Sequence, residues 1–192
     1  MKDFNSYPDS VLKELCGAEA CIWCMGTTAG DKVLEVDYPL AFGNAFSPVV
    51  SKQKNKFRYL HLSGATTERD QGKALWFKED MRKMKVRAPA NLERDTQSSQ
   101  GAAEANMLGF AKDGNEGLWE TVIVKSGYVV SKEGTNARDM LGWVLGTKNA
   151  IRVDELAGAM IDVAMNGSKE ETLQDNHAMV MKGREALKSL NG

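Results

Sequence analysis

Three short apolar runs, each broken off by small residues, constrain the fold of this chain more than any other feature. The first is Glu19 to Gly30, EACIWCMGTTAG, where Ala, Cys, Ile, Trp and Met give way to Gly, Thr and Gly. The second is Phe57 to Leu62, FRYLHL, ending at Ser63-Gly64-Ala65, and the third is Leu118 to Val124, LWETVIV, ending at Lys125-Ser126-Gly127. Each reads as a strand. Strands covered on both faces are near-continuously apolar, as in parallel sheets, and such sheets bind ligands at the carboxyl ends of their strands. Gly26, Thr27 and Thr28 are therefore expected at a ligand-binding edge.

Helical spacing fills the intervals. Val11, Leu12 and Leu15 mark a short amphipathic helix capped by Asp9 or Ser10. Asp31 to Val50 carries Val33, Leu34, Val36, Leu40, Phe42 and Phe46 on one helical pattern despite Pro39, with Pro48 near its end. Further helices are expected at Gln71 to Lys85, Ala102 to Ala111, Met140 to Leu145, Val153 to Met165 closed by Asn166-Gly167, and Asn176 to Leu190. Val86 to Gln100, VRAPANLERDTQSSQ, loses periodicity and reads as an inserted loop. Strands alternating with helices of ten or more residues need crossover connections, so the class is α/β with a mostly parallel sheet. The 192 residues suit a single domain spanning 1–192.

Charge excludes several functions. A formal net charge of −1 without long basic runs leaves no footprint for nucleic acid and no polybasic membrane patch. The start, MKDFNSYPDS, has no apolar leader, and no apolar run approaches bilayer length, so a cytoplasmic location is expected. Three cysteines, an odd number, are expected as reduced thiols. Cys21-Ile22-Trp23-Cys24 has redox spacing, but a redox pair needs its first thiol at a helix N-terminus. Inside a strand, alternation points the two thiols to opposite faces. His61 and His177 are far from the cysteines and from each other, so no metal site is indicated. His61 is expected as a satisfied sheet residue and His177 as a solvated one. Gly26-Thr27-Thr28-Ala29-Gly30-Asp31-Lys32 lacks the spacing of a Walker phosphate loop.

In order along the chain, ACIWCMGTT, EVDYPLAFGNAF, FRYLHLSGA, RKMK and IRVDELAGAMIDVAMNG resemble the atypical short-chain dehydrogenase/reductases. These are NAD(P)-binding Rossmann-fold proteins, and the likeness is nearest to fungal members. It covers nearly the whole chain. The resemblance implies a partial Rossmann-like three-layer domain lacking the family's first three strands and its Gly-x-x-Gly-x-x-Gly turn, which receives the cofactor pyrophosphate on a helix N-terminus. It assigns Ser63 and Lys85 to catalysis, and Gly26, Thr27, Thr28, Lys125 and Gly127 to binding of NADP or NAD. Lys125-Ser126-Gly127 stands where relatives commonly carry Arg-Pro-Gly beside the nicotinamide.

Two departures bear on activity. The family pairs its Lys with a Tyr four residues earlier, whose phenol passes a proton to the substrate oxygen. Here that position is Met81. Tyr128 and Lys132 repeat the spacing, but in extended chain four residues span roughly 13 Å. Deleting 86–100 joins Lys85 to Gly101 and yields RKMKGAAEANMLGFA, closer to the family's Lys-Gly-x-x-Glu segment. Val-Arg and the terminal Gln can be encoded as splice signals, which suggests a retained intron.

The expected activity is hydride transfer between NAD(P) and a small-molecule carbonyl or alcohol, in fungal secondary metabolism. The same residues also fit a non-redox cyclase or isomerase. A third reading is an inactive fragment whose Ile22 strand forms an exposed sheet edge, open to homo-oligomer formation.

Overall fold

The parallel ladder forms as the apolar runs require. The computed structural model describes residues 3–26, 31–65, 67, 103–112, 117–133, 140, 142 and 144–190. Among the described residues four strands make the main sheet: β1 (Ala20–Trp23), β2 (Phe57–Gly64), β3 (Trp119–Ser126) and the two-residue β6 (Thr172–Leu173). Their order across the sheet is β1-β2-β3-β6, and every pairing is parallel. Ile22, Leu60 and Val122 lie side by side in register, as neighbours on three consecutive strands. A second, two-stranded parallel sheet joins β4 (Tyr128–Val130) to β5 (Ala150–Arg152).

Helices cover both faces of the main sheet. On one face α2 (Tyr38–Gln53) and α3 (103–112) close over an aromatic core of Trp23, Phe42, Phe46, Phe57, Tyr59, Met107 and Trp119. On the other, α4 (Val153–Asn166) and α5 (Asn176–Leu190) bury Leu156, Met160, Val163, Met179 and Val180 against Leu60, Val122 and Val124. The alternation along β2 produces this split, with Phe57 and Tyr59 facing one core and Leu60 and Leu62 the other. In β3 the run Val122, Ile123, Val124 is almost wholly buried because both faces are covered. The result is an α/β protein with a Rossmann-like layer.

Three expectations need correction. The first helix, α1, spans Asp9–Glu14, and its N-cap is Pro8, with no side-chain cap from Asp9 or Ser10. Pro8 is extended, and its carbonyl accepts from the N–H groups of Val11 and Leu12. The expected single helix from Asp31 begins instead as a π-helical segment, Val33–Asp37, before α2, where Pro39 occupies the first turn. That helix runs past Pro48 to Gln53 and ends with Lys54 in the left-handed region at φ 56°. Strands β5 and β6 were not expected at all. The helix expected at 71–85 and the inserted loop at 86–100 lie outside the described residues.

Candidate functional site

Parallel registration brings the ends of β1, β2 and β3 to one edge, and a buried polar network occupies it. Ser63 lies directly beside Lys125, and Gly64 beside Ser126. Ala65 N–H then donates to Ser126 O, and Thr67 N–H to Gly64 O, turning the chain back over the strand ends. Into this corner α3 inserts Glu104, whose side chain is fully buried.

Glu104 ties the corner together. Ser63 Oγ donates to its Oε1 at 2.6 Å, and Lys125 Nζ stands 3.3 Å from its Oε2. Lys125 Nζ also donates to Thr67 O at 2.6 Å. Ser63 Oγ lies 3.1 Å from Thr67 Oγ1 as well. A serine hydroxyl has one proton, and the short contact to a carboxylate takes it. The Thr67 hydroxyl is then the donor in the longer contact. A hydroxyl, a carboxylate and an ammonium are thus linked in one buried hydrogen-bonded chain.

Below this corner lies a second buried polar pair. Tyr59 Oη and His61 Nδ1 are 3.3 Å apart on the α2/α3 face of β2. Burial lowers the His61 pKa to about 4 and holds the Tyr59 phenol well above its ordinary range. Both rings are therefore neutral near pH 7, which fits a satisfied sheet histidine. His177 is exposed, as expected for a solvated ring, and contacts Thr147 Oγ1 at 2.9 Å.

The two candidate glycines are constrained by their neighbours. A Cβ at Gly26 would lie 3.3 Å from Oε1 of the buried Glu35. At Gly127 a Cβ would fall 2.3 Å from the backbone oxygen of Asn149. Only glycine fits there, and the need comes from the packing of β5's approach against the turn. Gly127 N–H donates to Asn176 Oδ1 at 2.8 Å, while Asn176 Nδ2 donates to Thr147 O and Ala150 O. This buried asparagine pins the turn after β3 to the start of the second sheet.

Gly26, Ser63, Lys125 and Gly127 therefore stand at the same end of the sheet, with Ser63 and Lys125 in direct contact with one carboxylate. Thr27, Thr28 and Lys85 lie outside the described residues, as does Met81. Glu104 is the residue that sequence reasoning missed. Its signal was present, because Glu104 shares a helix face with Met107 and Leu108 at spacings of three and four, where a solvated glutamate does not belong.

The cysteines occupy a different environment. Cys16, Cys21 and Cys24 are free thiols. Burial, and then the neighbouring Cys24, raise the Cys21 pKa to about 12, and burial raises that of Cys24. A redox pair needs the opposite shift. Among the described residues no group of three or more His, Cys, Asp or Glu side chains converges as a metal site. None of their helices is long and apolar enough to cross a membrane.

A cleft of about 650 Å³ opens at the other end of the sheet, between Lys56, Arg58, Glu120 and the α4–α5 connection. Several charges in and beside it are paired. Lys56 and Arg58 both reach Glu120, Arg58 also donates to Ala164 O, and Lys182 holds Asp162. The polar corner at the strand carboxyl ends remains the better candidate on chemistry. No protein-family model matches this chain, and no curated protein matches it.

Proposed function

We propose that the edge formed by Gly26, Ser63, Lys125 and Gly127 is the substrate end of a crevice in an oxidoreductase resembling the atypical short-chain dehydrogenase/reductases. The observation that carries this reading is the Ser63–Glu104–Lys125 network at the carboxyl ends of adjacent parallel strands. Open α/β sheets bind their ligands at such an edge. The substrate class would be a small-molecule carbonyl or alcohol, with NADP or NAD as cofactor.

The donor set suits the nicotinamide end of such a cofactor. Glu104 and Lys125 cancel each other's charge, Ser63 contributes a hydroxyl, and Gly26 adds no side chain. Gly26, Thr27, Thr28, Lys125 and Gly127 are the residues that would hold the cofactor. When bound, it would supply the hydride, and the protein would supply orientation and proton handling. Ser63 Oγ directs its proton at Glu104 Oε1, and Lys125 Nζ pairs with the other oxygen of that carboxylate. The bond from Lys125 to Thr67 O holds the β2 turn over the network.

One observation favours a second reading, a non-redox cyclase or isomerase. The hydroxyl, carboxylate and ammonium form a complete proton-handling set with no nucleotide, and the sequence has no Gly-rich turn for a pyrophosphate. Titration calorimetry of the full chain with NADPH and NADH separates the two. Saturable binding supports the oxidoreductase. No binding at millimolar nucleotide, together with turnover of a carbonyl substrate in its absence, selects the second reading.

A further inference from the structure

Among the described residues strand β1 ends the sheet on one side, and its sole strand partner is β2. Arg58 N–H donates to Glu19 O, so the ladder directs the backbone groups of Glu19, Cys21 and Trp23 toward β2. Those of Ala20, Ile22 and Cys24 point outward, because successive residues of a strand alternate in the direction of their hydrogen bonds. Soluble proteins blunt such edges with lysine, proline or a bulge. The segment Ala20 to Met25, ACIWCM, contains no lysine and no proline. Ile22 is 40% exposed, and Cys24 is exposed beside it.

We propose that β1 pairs antiparallel with β1 of a second copy of this chain, about a two-fold axis at Ile22, joining two sheets into one. A two-fold interface must be complementary to itself. About Ile22 this one is: Ala20 meets Cys24 of the partner subunit, Cys21 meets Trp23 of the partner subunit, and the two Ile22 residues meet each other. No charge opposes its like. The nearest charge, Glu19, falls opposite Met25 of the partner subunit, which separates the two glutamates by about 20 Å at the usual rise per residue. On one flank α4 packs against β1; this helix carries the 44% exposed Ile161, and its Asp162 is held by Lys182 of α5. The apolar edge is thus matched by a copy of itself without burying a charge.

Sedimentation velocity of the full chain across a concentration series tests this, independently of any nucleotide. The expected result is a species of twice the chain mass that dissociates on dilution. Ile22→Lys should weaken it at least tenfold while leaving the far-UV circular dichroism unchanged. Cys24→Lys, at the other end of the same edge, should do the same and is decisive if the first variant fails to fold. Val144→Lys, at a site 84% exposed on another element, should leave the association unchanged. Hydrogen exchange at Ala20 and Ile22 should slow as concentration rises. A monomer at every concentration, or a dimer that both lysine variants leave intact, overturns the proposal.

Discussion

Glu104 and Lys125 form a buried ion pair within a wider polar network. The carboxylate is fully buried, and the ammonium keeps 10% of its side-chain surface. Breaking a buried ion pair by removing one member costs about 3–5 kcal/mol. Glu104→Ala should therefore lower the urea midpoint steeply, while Glu104→Gln with Lys125→Met should cost less than the sum of the single changes. Denaturant titrations of the wild type, Glu104→Gln, Lys125→Met and the double variant measure the coupling, and simple additivity would show that the pair contributes no mutual stabilisation. His61 gives a separate prediction in pH. Its folded pKa of about 4 lies below the ordinary 6.5, because burial penalises the imidazolium. The unfolded chain thus binds the extra proton between those values. Stability is fully present above pH 6.5 and is lost as pH falls toward 4, by on the order of 3 kcal/mol. His61→Gln should flatten that part of the stability profile, read from urea midpoints at successive pH values.

Where elements cross, glycines set the approach. A Cβ at Gly183 on α5 would fall 1.9 Å from Glu155 O on α4, and one at Gly158 would lie 3.0 Å from Gly183 O. The two helices meet backbone to backbone. Gly183→Ala must push them apart, costing about 1–3 kcal/mol by overpacking. Thermal unfolding should show a clearly lower midpoint for Gly183→Ala than for Gly158→Ala, and equal midpoints would contradict this geometry. Much at this scale was legible in the sequence. Asn166-Gly167 closes α4 with Gly167 at φ 83°, and α5 spans Asn176–Leu190 as its periodicity indicated. Strands β5 and β6 were not legible, since three residues and two residues are too few to display a period of two. They exist because neighbouring backbone offers partners, as when Ile123 N–H reaches Glu171 O. The same limit hid the corner at the site. Ser63 and Lys125 could each be placed at a strand end, but Glu104 joins them only through tertiary packing across 41 residues. The π-helical turn at Val33–Asp37 follows likewise from local packing around the buried Glu35 and Val36, not from the apolar spacing that signalled a helix there.

Across the whole molecule, both cores depend on the same two strands. Aromatic residues of the α2/α3 face and aliphatic residues of the α4/α5 face are carried by alternate positions of β2 and β3. Unfolding either strand therefore opens both cores at once. Opening at the margins is different, because β6 contributes two residues and, among the described residues, β1 is paired on one side. Protection from hydrogen exchange reports the free energy of the opening that frees each amide. Leu60, Val122, Ile123 and Val124 should therefore exchange most slowly, at the rate set by global unfolding. Amides of α4 and α2 next to the cores should approach that limit, and those of β6 and α1 should exchange well before it. The measurement belongs at low protein concentration, where any pairing at the β1 edge is dissociated. If one helical face lost protection while β2 and β3 kept theirs, the two cores would be separate cooperative units, and the shared sheet would not be what couples them.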